Sequence, residues 1–331
     1  MFSLIIPAYN RGALIERTLR SALDQSVPFN EIIVVDDGST DNTPEIVQQF
    51  SDRVHYIRTA NQGVQKARNT GVANAKSDRV AFCDSDDLLD PDYVDVVGNW
   101  LASHSDVDLT YVNFSTFDAR PVYPDKFFAA PDGYFDGVRL DQGFYVDDTD
   151  LYIKSIRYPC MWVTGMTVRK SFYEAIGGFD PAFRGVIAED WEFNLRALSK
   201  GRTALCRRVL ARIRYHSGSQ SDNKIGTLLG LAKVLRYALE KHDGTRRFES
   251  EIDRIIKHHS ASAFNEAFAD GEFQLAKTAL QQPDLALNDS RFMWKKRIVS
   301  MPWLLRYIMW VISQIISKLQ TLLKLSNSRN T

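Results

Sequence analysis

Two stretches decide the fold: Glu-Ile-Ile-Val-Val-Asp-Asp-Gly-Ser-Thr-Asp at residues 31–41, and Arg-Val-Ala-Phe-Cys-Asp-Ser-Asp-Asp at residues 79–87. Each begins as a short apolar run without polar alternation and ends abruptly in carboxylates. Runs of this kind read as strands buried on both faces, the habit of a parallel sheet. Working outward, residues 2–7 and 54–58 are two more such runs. Between them lie segments with helical spacing: residues 13–25 (Leu14, Ile15, Leu19, Ala22, Leu23), residues 42–50 with Pro44 in the first turn, and residues 63–75. Strand and helix in alternation predict βαβ units around a mainly parallel sheet. Ligands of such sheets bind beyond the carboxyl ends of the strands, which directs attention to residues 8–11, 36–39 and 84–87.

The chain has 331 residues, with 41 Lys and Arg against 41 Asp and Glu. An ordinary apolar content and zero net charge exclude collagen, wholesale disorder and a polytopic membrane protein, and they argue against nucleic acid as a partner. The zero is a sum of unlike parts. Residues 1–110 hold 17 acidic and 9 basic side chains, whereas from Arg291 onward there are eight basic and no acidic ones. Cys83, Cys160 and Cys206 are too dispersed for a zinc site or disulfide framework and read as reduced and buried. The opening Met-Phe-Ser-Leu-Ile-Ile-Pro lacks the basic region and long apolar run of a signal peptide, so a cytoplasmic location is expected.

The pattern loosens between about 115 and 160, where loops and irregular strands are expected to cover a site. It tightens again with helices near 170–176 and 189–199 on either side of a Gly177-Gly178 turn. Beyond Asn223 the chain reads as helical throughout. Ala263, Ala267, Gly271, Ala276 and Leu280 have the spacing of a helical hairpin, expected in a plain bundle because no second repeat is evident. The length suggests a domain over 1–220, a helical region over 221–290 and a basic amphipathic tail over 291–331.

Three carboxylates within four residues, at Asp84, Asp86 and Asp87, repel one another and call for a cation. Hard oxygen donors suit Mg²⁺ or Mn²⁺ shared with a substrate phosphate; a solvated turn before the next helix, capped by Asp90 or Asp92, is the other reading. Asp36-Asp37-Gly38 allows a carboxylate to accept a ring N–H of a uracil or guanine, or else forms a turn whose Ser39, Thr40 or Asp41 caps a helix. Lys66 and Arg68 either balance a diphosphate or hold the aspartates.

Four motifs occur in one order: Ile-Ile-Pro-Ala-Tyr-Asn-Arg (5–11), Ile-Ile-Val-Val-Asp-Asp-Gly-Ser-Thr-Asp (32–41), Ala-Arg-Asn-Thr-Gly (67–71) and Asp-Ser-Asp-Asp (84–87). In that order they resemble the inverting family 2 glycosyltransferases of the GT-A fold, over about residues 1–220. The resemblance implies an α/β, Rossmann-like, mainly parallel sheet flanked by helices and followed by an α-helical C-terminal region. It implies a hexosyl- or N-acetylhexosaminyl-transferase that uses a nucleotide-sugar, with Pro7, Ala8, Tyr9 and Asn10 lining the nucleoside pocket. Asp36 or Asp37 would read the base, Arg68 would lie near the diphosphate, and Asp84-Ser85-Asp86 would hold donor and metal. Gly-Gly-Phe-Asp (177–180) and Glu-Asp-Trp-Glu (189–192) resemble the family's base segment, making Asp190 the general base and placing Glu189, Trp162 and Trp191 around sugar or acceptor. By itself, Glu189-Asp190 is also an ordinary acidic helix start, and both tryptophans are ordinary core residues. His216 is the candidate third metal ligand. The Gln-x-x-Arg-Trp segment of processive synthases does not occur, which favours transfer of one or a few sugars.

In residues 293–325, Leu305, Ile308, Ile312, Ile315, Leu319 and Leu322 share one face, with Arg306, Ser313, Ser317, Gln320 and Lys324 opposite. The apolar runs are shorter than a spanning helix needs. Residues 292–325 are therefore expected to lie on a membrane surface, with basic residues and tryptophans meeting anionic headgroups; a homodimer seam is the competing use. The acceptor expected is a glycan or lipid-linked glycan. Two rival functions remain in view. A sugar-phosphate nucleotidyltransferase would need a Gly-rich, Arg-containing loop where Pro7-Ala8-Tyr9-Asn10 stands. A non-catalytic sugar-binding module would have no use for Asp190.

Overall fold

A computed structural model describes residues 2–118, 124–146, 151–215, 223–281 and 290–327, with side chains to residue 316. His216, the expected third metal ligand, lies outside the described residues, as do Leu319, Leu322 and Lys324 with respect to their side chains. The strands are β1 (Phe2–Ala8), β2 (Glu31–Asp36), β3 (His55–Arg58), β4 (Arg79–Phe82), β5 (Leu88–Leu89), β6 (Leu109–Phe117), β7 (Arg139–Asp141), β8 (Phe144–Val146), β9 (Thr167–Arg169) and β10 (Thr203–Arg214). The helices are α1 (Ile15–Leu23), α2 (Thr43–Gln48), α3 (Val64–Asn74), α4 (Tyr93–Ser103), α5 (Leu151–Arg157), α6 (Lys170–Ala175), α7 (Glu189–Lys200), α8 (Lys224–Lys241), α9 (Glu249–Ala269), α10 (Phe273–Leu280), α11 (Ser290–Val299) and α12 (Trp303–Asn327).

One sheet runs in the order β3-β2-β1-β4-β9-β6-β10-β8-β7, with β5 also on β10. The block from β3 to β4 is parallel, as is the β6–β10 pair, while β9 is antiparallel to both β4 and β6. All seven residues of β1 and five of six in β2 are buried, which is why these strands read as unbroken apolar runs. The edge strand β3 exposes His55 and Arg58. The expected loosening over 115–160 is more ordered than its composition suggests: β6 continues to Phe117, and the short β7–β8 hairpin and α5 follow. Among the described residues all three cysteines are free and buried.

Packing explains the glycine in Ala67-Arg68-Asn69-Thr70-Gly71. A Cβ at Gly71 would stand 2.3 Å from Ile5 Cγ2 of β1, so glycine lets α3 lie directly on the strand. Gly71→Ala is expected to cost about 1–3 kcal/mol by overpacking, measured as a lower midpoint of urea unfolding at unchanged slope.

The described chain falls into two compact units. One comprises residues to Asp222 together with Tyr237–Phe248, and the other comprises Asn223–Arg236 and everything from Glu249. In the second unit α9 and α10 form a hairpin around Gly271 (φ +76°). Ala263, Ala267, Ala276 and Ala279 are fully buried, and Phe264, Phe268, Phe292, Ile298 and Val299 complete the core.

Candidate active site

The loops after β1 and β2 are tied together before any ligand is considered. Asn10 adopts a left-handed conformation (φ 51°). From there its N–H donates to Ser39 Oγ at 2.9 Å, and its Oδ1 accepts the N–H of Thr40 at 2.8 Å. Pro7 and Ala8 are buried in β1, whereas Tyr9 is 45% exposed at the strand end. Asp36 is sealed: Oδ1 accepts the Ser39 N–H (2.8 Å) and Oδ2 accepts the Tyr56 hydroxyl (2.5 Å). Burial and that carboxylate push the Tyr56 phenol well up. Asp37 accepts the backbone N–H groups of Gln62 (2.9 Å) and Gly63 (2.7 Å). Both aspartates thus serve the local turn architecture, and Asp37 lies nearer the loop before α3.

At the end of β4 the three carboxylates are handled separately. Asp84 receives Arg68 Nη2 at 2.9 Å, and Asp86 lies 3.6 Å from Arg11 Nε. Asp87 turns inward. It accepts the Thr164 hydroxyl (2.6 Å) and the Arg214 backbone N–H (2.8 Å). Burial, then the charges of Asp84 and Asp86, raise its pKa well above the carboxylate range. Thr164 also accepts the Asp84 N–H at 3.0 Å, so one hydroxyl spaces the first and last acids of the motif. Ser85 is buried between them. Arg214 Nε donates to the Asp86 carbonyl at 3.0 Å, so the chain runs along this loop just before His216.

Arg68 connects this loop to the distant base segment. Its Nη1 meets Glu189 at 3.1 Å while Nη2 holds Asp84, and its guanidinium sits 4.9 Å from the Phe179 ring centre. Burial opposes its charge, but Asp84 and Glu189 outweigh burial and raise its pKa. The adjacent Asn69 clasps Phe179, donating to its carbonyl (2.8 Å) and accepting its N–H (2.9 Å). Arg68 thus holds one of the strand-end aspartates, Asp84, together with Glu189.

Asp190 stands in the first turn of α7, after Ala188 in a left-handed conformation (φ 67°). Such a conformation is costly for a residue with a Cβ and concentrates at functional sites. Burial and the neighbouring Glu189 push the Asp190 carboxyl up to about 7, against the pull of Arg68. Among the described residues no side chain hydrogen-bonds its carboxylate. Trp191 is only 4% exposed and its indole points to Ser155 Oγ at 3.4 Å. Trp162 is half-buried against Phe114.

The helix carrying Asp190 is fixed from behind. Arg196 donates to the carbonyls of Ile176 (2.5 Å) and Gly178 (2.7 Å) and pairs with buried Glu192 (2.7 Å). Glu192 also meets His242 Nε2 at 3.1 Å. Against its burial, Arg196 and His242 hold the Glu192 pKa low. Tyr237 donates to Asp180 Oδ2 at 3.0 Å. Sequence reasoning missed Thr164, Arg196 and His242, and it included Arg11 within the first motif without giving it a partner. Thr164 lies two residues from Trp162, whereas His242 lies far beyond the recognised motifs and carries no local signal.

No group of three or more His, Cys, Asp or Glu converges among the described residues. Asp84 and Asp86 nonetheless remain 29% and 20% exposed. Two partly open carboxylates fit a hard cation that completes its shell with water and phosphate oxygens.

Comparisons with known proteins bear on the family and the fold. The family described as "Glycosyl transferase family 2" matches residues 3–167. "Glycosyltransferase GlyA" of Streptococcus pneumoniae is 26% identical over 301 residues, covering 85% of this chain and 41% of that protein. "Putative teichuronic acid biosynthesis glycosyltransferase TuaG" of Bacillus subtilis is 37% identical over 138 residues, covering 40% of this chain and 54% of its own length. The chain thus spans about half the length of these curated relatives. Among solved structures, S. aureus TarS 1-349 in complex with UDP superposes with a TM-score of 0.59 at 19% identity, covering 90% of this chain and 89% of that one. That likeness shows a shared GT-A-like fold. With its ordered motifs assembled at the carboxyl edge of such a sheet, the chain belongs to glycosyl transferase family 2.

Proposed function

We propose that this chain is a metal-dependent, inverting glycosyltransferase. It would move a sugar from a nucleotide-sugar, read as UDP-linked, to a hydroxyl of a glycan or lipid-linked acceptor in cell-surface polysaccharide synthesis. One observation carries the reading: buried Arg68 ties Asp84 of the strand-end acids to Glu189, the neighbour of Asp190. A donor-binding carboxylate and a candidate base from segments over a hundred residues apart are thereby held at one place. UDP in TarS and the teichuronic acid assignment of TuaG support the donor base and the acceptor class.

In this reading Asp190 takes the proton of the acceptor hydroxyl as oxygen attacks the anomeric carbon, and the diphosphate leaves from the opposite side. A single displacement inverts the configuration. Asp84 and Asp86 would hold Mn²⁺ or Mg²⁺, which supplies charge neutralisation for the diphosphate leaving group. Tyr9 and Asn10 would border the nucleoside, and Asp37 would be the acid nearer the base. We place the protein at the cytoplasmic face of a membrane, reached through residues 292–325, with a homodimer as the competing use of that segment.

A thermal-shift series tests donor and metal together. UDP with Mn²⁺ should raise the melting temperature, Asp84→Asn with Asp86→Asn should remove the Mn²⁺-dependent part, and GDP or ATP should act weakly. Equal shifts by all three nucleotides, unaffected by Mn²⁺, would refute this donor assignment.

A further inference from the structure

The amphipathic pattern of α12 divides it into a Leu/Ile face and a polar face, and the contacts of the helix decide which of them turns outward. Trp310 Nε1 donates to the Phe268 carbonyl at 2.6 Å, and its ring faces Gly271 at 3.3 Å from where a Cβ would sit. Ser313 is buried on the same side, and the Arg306 guanidinium stands 5.1 Å from the Phe273 ring centre. These contacts fix the rotation of the helix. Leu305, Ile308, Ile312, Ile315 and Ile316 are left between 41% and 54% exposed. A lone exposed leucine is ordinary, but a contiguous stripe marks an interaction surface.

The surroundings identify what covers it. Trp303 and Tyr307 are exposed at the start of the helix, and Met293 and Trp294 are exposed on α11. At the α11–α12 corner a cavity of about 480 Å³ is lined by Met293, Lys296, Arg297, Ser300, Met301 and Pro302. Among the described residues neither Lys296 nor Arg297 has an ion-pair partner, and the chain carries no acid from Arg291 onward. Apolar stripe, interfacial aromatics and unneutralised cations together match an anionic lipid surface. Two copies of the same face would set like charges against each other. No described helix is long and apolar enough to cross a membrane, so α12 would lie on the surface.

We propose that the outward Leu/Ile stripe of α12 enters an anionic phospholipid surface while Lys296 and Arg297, at the adjoining cavity, take headgroup phosphates. This rests on the membrane reading of residues 292–325 and not on the transfer chemistry. Vesicle binding and sugar turnover can therefore fail independently. The test is co-sedimentation of the full chain with phosphatidylcholine vesicles, with and without phosphatidylglycerol, at low and raised salt. The wild type should bind only the anionic vesicles and release with salt. Lys296→Gln with Arg297→Gln should weaken binding about thirtyfold, at about 1 kcal/mol per cation, and Ile308→Asp with Ile312→Asp should abolish it. Both double variants should keep the wild-type mass in light scattering and its melting temperature. No binding by the wild type, or binding indifferent to both double variants, would overturn the proposal. A wild-type dimer made monomeric by Ile308→Asp with Ile312→Asp, without vesicle binding, would assign the stripe to a second copy.

Discussion

Asp190→Asn is expected to lower kcat about 10²–10⁴-fold, the usual contribution of a positioned general base, while UDP binding by calorimetry stays within twofold. Asparagine keeps the shape of the side chain but cannot take the acceptor's proton. The raised pKa adds a second signature. A general base acts as its anion, and Asp190 is pushed up to about 7 in the free protein, so in the proposed role kcat/KM should fall as pH drops through the acid side of neutrality. Asp84 is among the charges that raise it, so a cation bound there should move this limb to lower pH. A variant with full activity, or a wild-type profile flat from pH 5 to 8, would remove Asp190 from the base role.

Replacing Arg68 should be nearly as damaging and in a different way. Arg68 is 3% exposed and pairs with both Asp84 and Glu189. Arg68→Met would leave two acids facing each other at a largely enclosed site. Breaking a buried pair in this manner costs about 3–5 kcal/mol, which calorimetric unfolding would register as a large fall in melting temperature. Arg68→Lys keeps the charge but cannot hold two carboxylates with separate nitrogens of one planar fork. It should recover most of the stability and less of kcat. If Arg68→Met melts like the wild type, the link between the strand-end acids and the base helix is not structural. The charge effect on the base is separable, since Arg68 lowers the Asp190 pKa; its loss should move the acid limb upward.

The sequence was most legible where one physical rule acts alone. β1, β2 and β4 are buried on both faces, so their apolar runs appear without context. β7, β8 and β9 are three residues each, too short to show a period, and α5 sits in a stretch whose Asp, Pro and Tyr content suggests loop. In the site, the acids announced themselves through their mutual repulsion, and the need for cations followed. Arg68 could be named as a cation for these acids, but its second partner could not be read, because Arg68 and Glu189 are 121 positions apart and nothing local joins them. The contacts that set the rotation of α12 could not be read for a related reason. Its amphipathic pattern gives the faces but not which of them its neighbours, here Phe268 and Gly271, will claim.

The return of Tyr237–Phe248 to the first unit bears on how such proteins can diversify. His242 supports Glu192, and Tyr237 supports Asp180, yet both follow a segment that belongs to the other unit. The two units are therefore interleaved along the gene, and a single crossover after β10 would hand a new tail to a transferase deprived of the residues bracing α7 and the turn before it. Recombination that exchanges tails while preserving chemistry has to carry this short segment along or fall beyond residue 248. Lineages of this architecture should accordingly vary the tail by point substitution more readily than by wholesale replacement of it.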